Sequence, residues 1–169
     1  MATSTIVYSS NTAITMDLAN LASSGTFVAG RESNQIDNTT NKYLDALVSG
    51  TISVGTTPTA NTTIAVYVWG ADTSLATTPL DVLDGTDSAE TLTNTGILGN
   101  LRLLAALSVI ATTSDIAYLL LPTSVAAQFG GVMPKFWGLY VAHNCGSNLR
   151  NTAVNTNSLE FVGIKYDVT

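Results

Sequence analysis

The clearest hydrophobic pattern in the chain lies in residues 43–69, where two β-type segments, YLDALVSGTISV and TTIAVYVW, are joined by GTTPTAN. In the first segment Leu44, Ala46, Val48, Ile52 and Val54 fall on one parity and Asp45, Ser49, Thr51 and Ser53 on the other. That period of two is the mark of a half-buried strand, with Leu47 the exception. In the second segment Ile64, Val66 and Val68 alternate with Tyr67 and Trp69, so both parities are apolar, as in a strand covered on both faces. Gly55, Pro58 and Asn61 are turn formers, and the whole predicts a central hairpin.

Elsewhere the periodicity is weaker. Residues 3–9 are short, β-prone and polar at both ends, which suggests an N-terminal arm or edge strand over residues 1–12 that lies on a neighbour, followed by a single domain over 13–169. Ile14, Leu18, Leu21 and Ala22 approach helical spacing behind Thr12 or Thr15 as N-cap and predict one or two helical turns. TFVAGRESNQID reads as a weak, mostly polar strand, and DNTTN after it as a turn. From residue 70 to 100 periodicity disappears, and a loop of that length is usually functional or docked on something. Residues 101–111 read as a strand with Leu101, Leu103, Ala105, Leu107 and Val109 on one parity. DIAYLLL follows as a strand stopped by Pro122. Ser124 caps a single helical turn, VAAQF, which Gly130 and Gly131 end. Residues 135–143 form a strongly β-prone run turned by NCGSN, and 151–157 an Asn/Thr-rich loop. The closing strand, 159–168, is expected to turn Val162, Ile164, Tyr166 and Val168 inward and Lys165 and Asp167 outward. These elements amount to an all-β antiparallel sandwich of about eight strands with one or two short helical turns.

Composition narrows the function. A chain of 169 residues fits one domain with a sizeable core. Charged residues make up 11% of it, against a usual share of about 25%, while Thr, Ser and Asn supply about a third. With 6 Lys+Arg against 12 Asp+Glu the net charge is -6, and no basic run exists to neutralise phosphates, which argues against direct nucleic-acid binding. A mean hydropathy of +0.30 with so few charges suggests surface meant to be covered by other subunits. The N-terminus shows no secretory signal pattern, and the most apolar window, LRLLAALSVIA, is too short to span a bilayer and carries Arg102. Synthesis in the cytoplasm and no membrane partner are expected. The single Cys145 excludes an internal disulfide framework and reads as a small buried hydrophobe.

Candidate chemistry is sparse. Asp81, Asp84, Asp87 and Glu90 recur every three residues around Gly85, but the spacing departs from the EF-hand pattern, so a solvated acidic loop without metal is expected. His143 is the only histidine; Cys145 lies two residues on, with no electropositive setting and no third orienting group, and nucleophile-elbow, dinucleotide and Walker motifs are absent. No enzyme and no cofactor are expected. Arg31 and Glu32 form a compact charge pair, read either as a solvated edge-strand pair or as an intersubunit ion pair. With Ile6, Val7 and Tyr8 of the arm, they are the candidate interface residues. Trp69 and Trp137 sit in apolar runs and suit core packing; a sugar-stacking platform is the alternative. The two Asn-Thr-Thr sequons, at 38–40 and 61–63, read as accidents of composition.

In overall texture, FVAGRESNQIDNTTNKYLDALVSGTISVGTTPTANTTIAVYVWG (27–70) with FGGVMPKFWGLYVAHNCGSNL (129–149) resembles the small virion proteins of tailed bacteriophages, the β-rich head decoration or cement proteins with a jelly-roll body. The resemblance rests on overall texture and on no sharp motif. It implies a jelly-roll-like sandwich that binds the outer head shell and stabilises it non-covalently. The implied partners are the major capsid protein and copies of the chain itself, as homodimer or homotrimer, and the implied location is the virion head surface after synthesis in the host cytoplasm. No catalytic residues carry over. The alternative is a carbohydrate- or receptor-binding module of a phage tail or fibre, using Trp69 or Trp137.

Overall fold

Period-two segments rich in β-branched and aromatic residues form two antiparallel sheets in the computed structural model, which describes residues 4–150 and 157–168. The expected loop at 151–157 lies, but for Asn157, outside the described residues. In chain order the strands are β1 (Ser4–Tyr8), β2 (Thr12–Ala13), β3 (Ala29–Glu32), β4 (Ile36–Asp37), β5 (Asp45–Ser53), β6 (Thr62–Ala71), β7 (Ser88–Thr91), β8 (Arg102–Val109), β9 (Ala117–Ser124), β10 (Phe136–His143) and β11 (Ser158–Val168). A five-stranded sheet has the order β1-β11-β5-β9, with β2 also on β11; a six-stranded sheet has β7-β3-β10-β6-β8, with β4 also on β10.

The pairings β1 with β11, β3 with β10, β5 with β9 and β6 with β8 describe one long antiparallel ribbon. Rolling it up adds β11 against β5 and β10 against β6. That is a jelly roll, and the sandwich expected from the sequence is the observed fold.

The central hairpin is not observed. β5 and β6 belong to opposite sheets, because β5 spends its two edges on β11 and β9 while β6 spends its own on β10 and β8. Residues 54–61 therefore arch across the sandwich, with Thr57 and Asn61 in the left-handed region at φ 52° and 60°. Ala46, Val48, Ile52 and Val54 meet Ile64, Val66 and Val68 across the interior, in the main core. A turn-rich loop suits an arch as well as a hairpin, and the pattern of inward residues is the same for both.

The other face of β6 is also covered, as its pattern requires. Residues 72–101 dock on the outer face of the six-stranded sheet, where Leu75, Leu83, Leu92 and Leu101 join Trp69, Tyr140 and Ala142 in a second core. This insert contains β7 and a 3-10 turn at Thr95–Asn100, so the aperiodic stretch is a docked cover.

Four further expectations change. Residues 13–22 are not helical: Ile14, Leu18 and Leu21 are buried, but the backbone bonds to sheet elements (Ile14 N–H to the Leu159 carbonyl) and Ala22 is exposed. The spacing of three apolar residues is met by an irregular segment that plugs the sandwich, and so short a helix has little stability of its own. β9 continues through Pro122, because Leu121 and Pro122 together oppose Ser49 at a bulge on an edge strand, where a missing N–H costs nothing. In β8 a bulge at Leu104 breaks the parity: Leu103 is exposed while Leu104 and Val109 are in the main core. In β11 the inward parity is the opposite of that expected, with Leu159 and Phe161 buried and Tyr166 exposed. Phe161 wins because it meets Trp137 edge-on at 5.3 Å, and Gly163 leaves room for the Tyr43 ring. The expectation for Val168 concerns a side chain outside those described. The VAAQF turn is observed as a 3-10 turn, Ala126–Phe129, with Ser124 Oγ accepting the Ala127 N–H and Gly130 closing it at φ 72°. DNTTN folds into the single-turn α1 (Asn38–Asn41), capped by Asp37.

A Cβ on Gly138 would enter the Trp69 ring, whereas one on Gly25 meets open space. Gly138→Ala is expected to lower unfolding stability by about 1–3 kcal/mol through overpacking. Gly25→Ala should change it by less than about 0.5 kcal/mol, both read by urea denaturation.

Candidate interaction surface

The two sheets present unlike outer faces. That of the six-stranded sheet lies under the insert, whereas among the described residues nothing covers that of the five-stranded sheet. On the bare sheet Ile6, Tyr8, Leu119, Leu121 and Tyr166 are each 58–65% exposed. Register places them on one face: Ile6 stands opposite Tyr166, Tyr8 opposite Ile164, Val162 opposite Leu47, and Leu119 opposite Thr51, itself opposite Ser158. Leu47, Val162 and Ile164 are half-buried among them, and Asp45, Ser49, Thr51 and Glu160 interrupt the apolar surface. An outward sheet face normally carries the polar parity, so large exposed apolar side chains set among these polar residues are unusual here.

The surface has two parts. Leu47, Val162, Leu119 and Leu121 lie over the sandwich. Past Ile164, which stands opposite the first residue of β5, β11 has only β1 beside it. Ser4–Val7 and residues 165–168 thus form a two-stranded ribbon running beyond the core, with Ile6 and Tyr166 on one side and Thr5, Lys165 and Asp167 on the other. The segment expected to be an arm on a neighbour is paired along its described length with its own β11.

Among the sequence candidates, Ile6 and Tyr8 are on this exposed face and Val7 is half-buried. Arg31 and Glu32 are elsewhere and do not pair with each other. Arg31 Nε donates to Asp87 Oδ1 at 2.6 Å, in a half-buried bridge within the chain. Glu32 is fully buried and cannot be an interface residue: Oε1 accepts the Gly85 N–H and Oε2 the Asp84 N–H, each at 3.0 Å. Burial pushes its carboxyl from an ordinary 4.5 up to about 7, with the two N–H bonds acting against that rise. Asn34 Oδ1 accepts the Asp87 N–H at 2.7 Å and Gln35 Oε1 the Leu75 N–H at 2.8 Å, so RESNQ is a polar latch that holds the insert down. The sequence signal for it was a strand polar on both parities facing an acid-and-glycine loop.

Three other acids of that loop accept hydrogen bonds from within the insert, and Asp84 is exposed. Asp81 accepts from the Thr93 N–H and hydroxyl, Asp84 from the Thr86 N–H, and Glu90 from the Ser88 hydroxyl. Among the described residues no group of three or more His, Cys, Asp or Glu is placed to hold a metal ion. Trp69 and Trp137, at 1% and 0% exposure, are core residues and present no ring to a sugar, because each lies on a strand covered on both faces. His143 is buried with Nε2 donating to the Leu21 carbonyl at 2.9 Å and Nδ1 accepting the Cys145 N–H, an arrangement that pins the irregular 14–24 segment. Burial lowers the His143 pKa and raises that of the buried Cys145 thiol.

No protein-family model matches the chain, and no curated protein does. Among the described residues no helix is long and apolar enough to cross a membrane.

The raised Glu32 pKa gives a signed pH effect. Between pH 4.5 and about 7 the folded chain keeps a proton that the unfolded chain has released, so this contribution to stability is full below 4.5 and is lost as pH rises through about 7. His143, with a lowered pKa, acts in the opposite sense as pH falls through its ordinary 6.5. Denaturation series from about pH 5 to about pH 8 are therefore expected to show the stability of wild type falling relative to Glu32→Gln as pH rises, and parallel curves would exclude the effect.

Proposed function

We propose that the protein is a structural virion component, a decoration or cement protein that binds the outer head shell of a tailed bacteriophage and stabilises it non-covalently. The observation that carries this reading is the uncovered apolar face of the five-stranded sheet, in a chain whose other sheet is already covered by its own insert. The jelly roll agrees with it, being an architecture of viral capsid proteins, although a fold alone does not specify a function. Leu47, Val162, Leu119 and Leu121 form the part that meets the major capsid protein.

The mechanism is burial of apolar area, worth about 25 cal/mol per Å² removed from water. A modest contact suffices for each copy, since capsid symmetry repeats it and association of the chain with itself, as homodimer or homotrimer, makes attachment multivalent. The insert holds five of the chain's acidic residues and no Lys or Arg, and it points away from this face, so the outward side of a bound copy is negatively charged and hydrated.

Purified protein is expected to pellet with expanded head shells that lack it. The double variant Leu119→Glu, Leu121→Glu should keep its fold and melting behaviour, since both side chains face solvent, while binding shells at least about tenfold more weakly. Wild-type protein that stays in the supernatant, or a double variant that pellets as well as wild type, would remove the proposal.

A further inference from the structure

We infer that β1 is a two-fold dimerisation edge, on which β1 of a second copy pairs antiparallel about Ile6 and joins two five-stranded sheets into one continuous sheet. The inference deepens the proposed self-association and rests on that part of the reading.

Backbone direction carries the argument. Ser9 donates its N–H to the Gly163 carbonyl, and Leu44 donates to the Ile164 carbonyl from the β5 side. In an antiparallel ladder successive residues point to alternate sides, so Gly163, Lys165 and Asp167 face β1. Their partners Ser9, Val7 and Thr5 face β11 in return. Ser4, Ile6 and Tyr8 therefore direct N–H and C=O away from the sheet at its free edge. A second β1 related by a two-fold axis through Ile6 sets Ile6 opposite Ile6 and Ser4 opposite Tyr8, and each such pair exchanges both bonds, about six in all.

The side chains fit the same register. On one face it builds a row of Tyr166, Ile6, Ile6 and Tyr166 across the axis, an apolar ridge contributed equally by both copies. STIVY carries no charge, and the nearest charges on β11, Lys165 and Asp167, are of opposite sign. In a chain of net charge -6, whose insert carries five acids without a base, this edge is a place where two copies meet without like-charge repulsion.

The other edges are blunted and β1 is not. β9 has Pro122 and a bulge, β8 has Arg102 and a bulge at Leu104, and β7 is four residues long with Glu90 in it. Those are devices that prevent edge-to-edge pairing. Five β-prone residues with none of them form a template for strand addition.

Sedimentation velocity and amide hydrogen exchange on the full chain, dilute and concentrated, test this. The expected result is a dimer in concentrated solution, with the Ile6 and Tyr8 amides slowed only there. Ile6→Lys, at an exposed edge position, should return the monomer, and Leu119→Lys, on the far edge strand, should leave the dimer in place. A wild-type chain still monomeric at about 1 mM overturns the inference. So does a dimer whose Ile6 and Tyr8 amides exchange as in the monomer, or one abolished by Leu119→Lys and kept by Ile6→Lys. Shell pelleting is read separately, so a monomer that still binds shells sinks the dimer and leaves the shell reading standing.

Discussion

The structure depends on the pairing of β6 with β10, eight residue pairs in register from Phe136 opposite Ala71 to His143 opposite Ile64. Both strands are apolar on both parities, so two cores form back to back on one pair of strands. Trp137, Leu139 and Val141 face the sandwich interior, and Tyr140 and Ala142 face the insert. An interior packed to the density of an organic crystal gives such a pair no freedom to slip, since a shift of one residue would exchange the two faces and put Trp137 where Phe136 belongs. Gly138, opposite Trp69 in this register, leaves the space that the Trp69 ring fills.

Because that pair needs cover on its outer side, the insert is as much a part of the fold as any strand. Apolar contact alone would hold it loosely, and the latch gives it one position: Glu32, Asn34 and Gln35 accept its backbone N–H groups, and Arg31 donates to the Asp87 carboxylate. Glu32 is the costly member of that set. A carboxyl with no exposure is held by two N–H donors and by no cation, so its ionisation is opposed by burial. The buried His143, three residues along β10 from Tyr140 opposite Glu32, plays a comparable part, fastening the irregular 14–24 segment to β10 through the Leu21 carbonyl.

Among the described residues the five-stranded sheet has no such cover. Its inner face supplies Ala46, Val48, Ile52, Leu120 and Phe161 to the main core, while its outer face leaves Leu119, Leu121, Tyr8 and Tyr166 in water. The asymmetry accounts for the composition. A chain with 11% charged residues places six of its twelve acids in the insert and at Glu32 of the latch, against Asp45 and Glu160 on the outer face of the five-stranded sheet. Such a division suits the proposed molecule that adheres by one side and is hydrated on the other.

The sequence by itself determined the fold class, the existence of most strands, the capped turn at Ser124, and the double burial of β6, because each follows from local periodicity, turn chemistry and the absence of disulfides. It also marked the 70–100 stretch as a loop either functional or docked, between which only the structure chose, and Cys145 and the tryptophans as suited to the core. Only the tertiary structure decided which strands are neighbours, since an arch between sheets and a hairpin within one share the same alternation and the same turn residues. The same holds for β11, where apolar residues on both parities left the inward face to be chosen by the contact of Phe161 with Trp137. The burial of Glu32 could not be read either: a polar residue on a weak strand becomes a latch only when a loop more than fifty residues away brings its N–H groups within 3.0 Å. The bare face was invisible for a related reason, because exposure is a property of what the rest of the chain leaves uncovered, and no local pattern of residues records it.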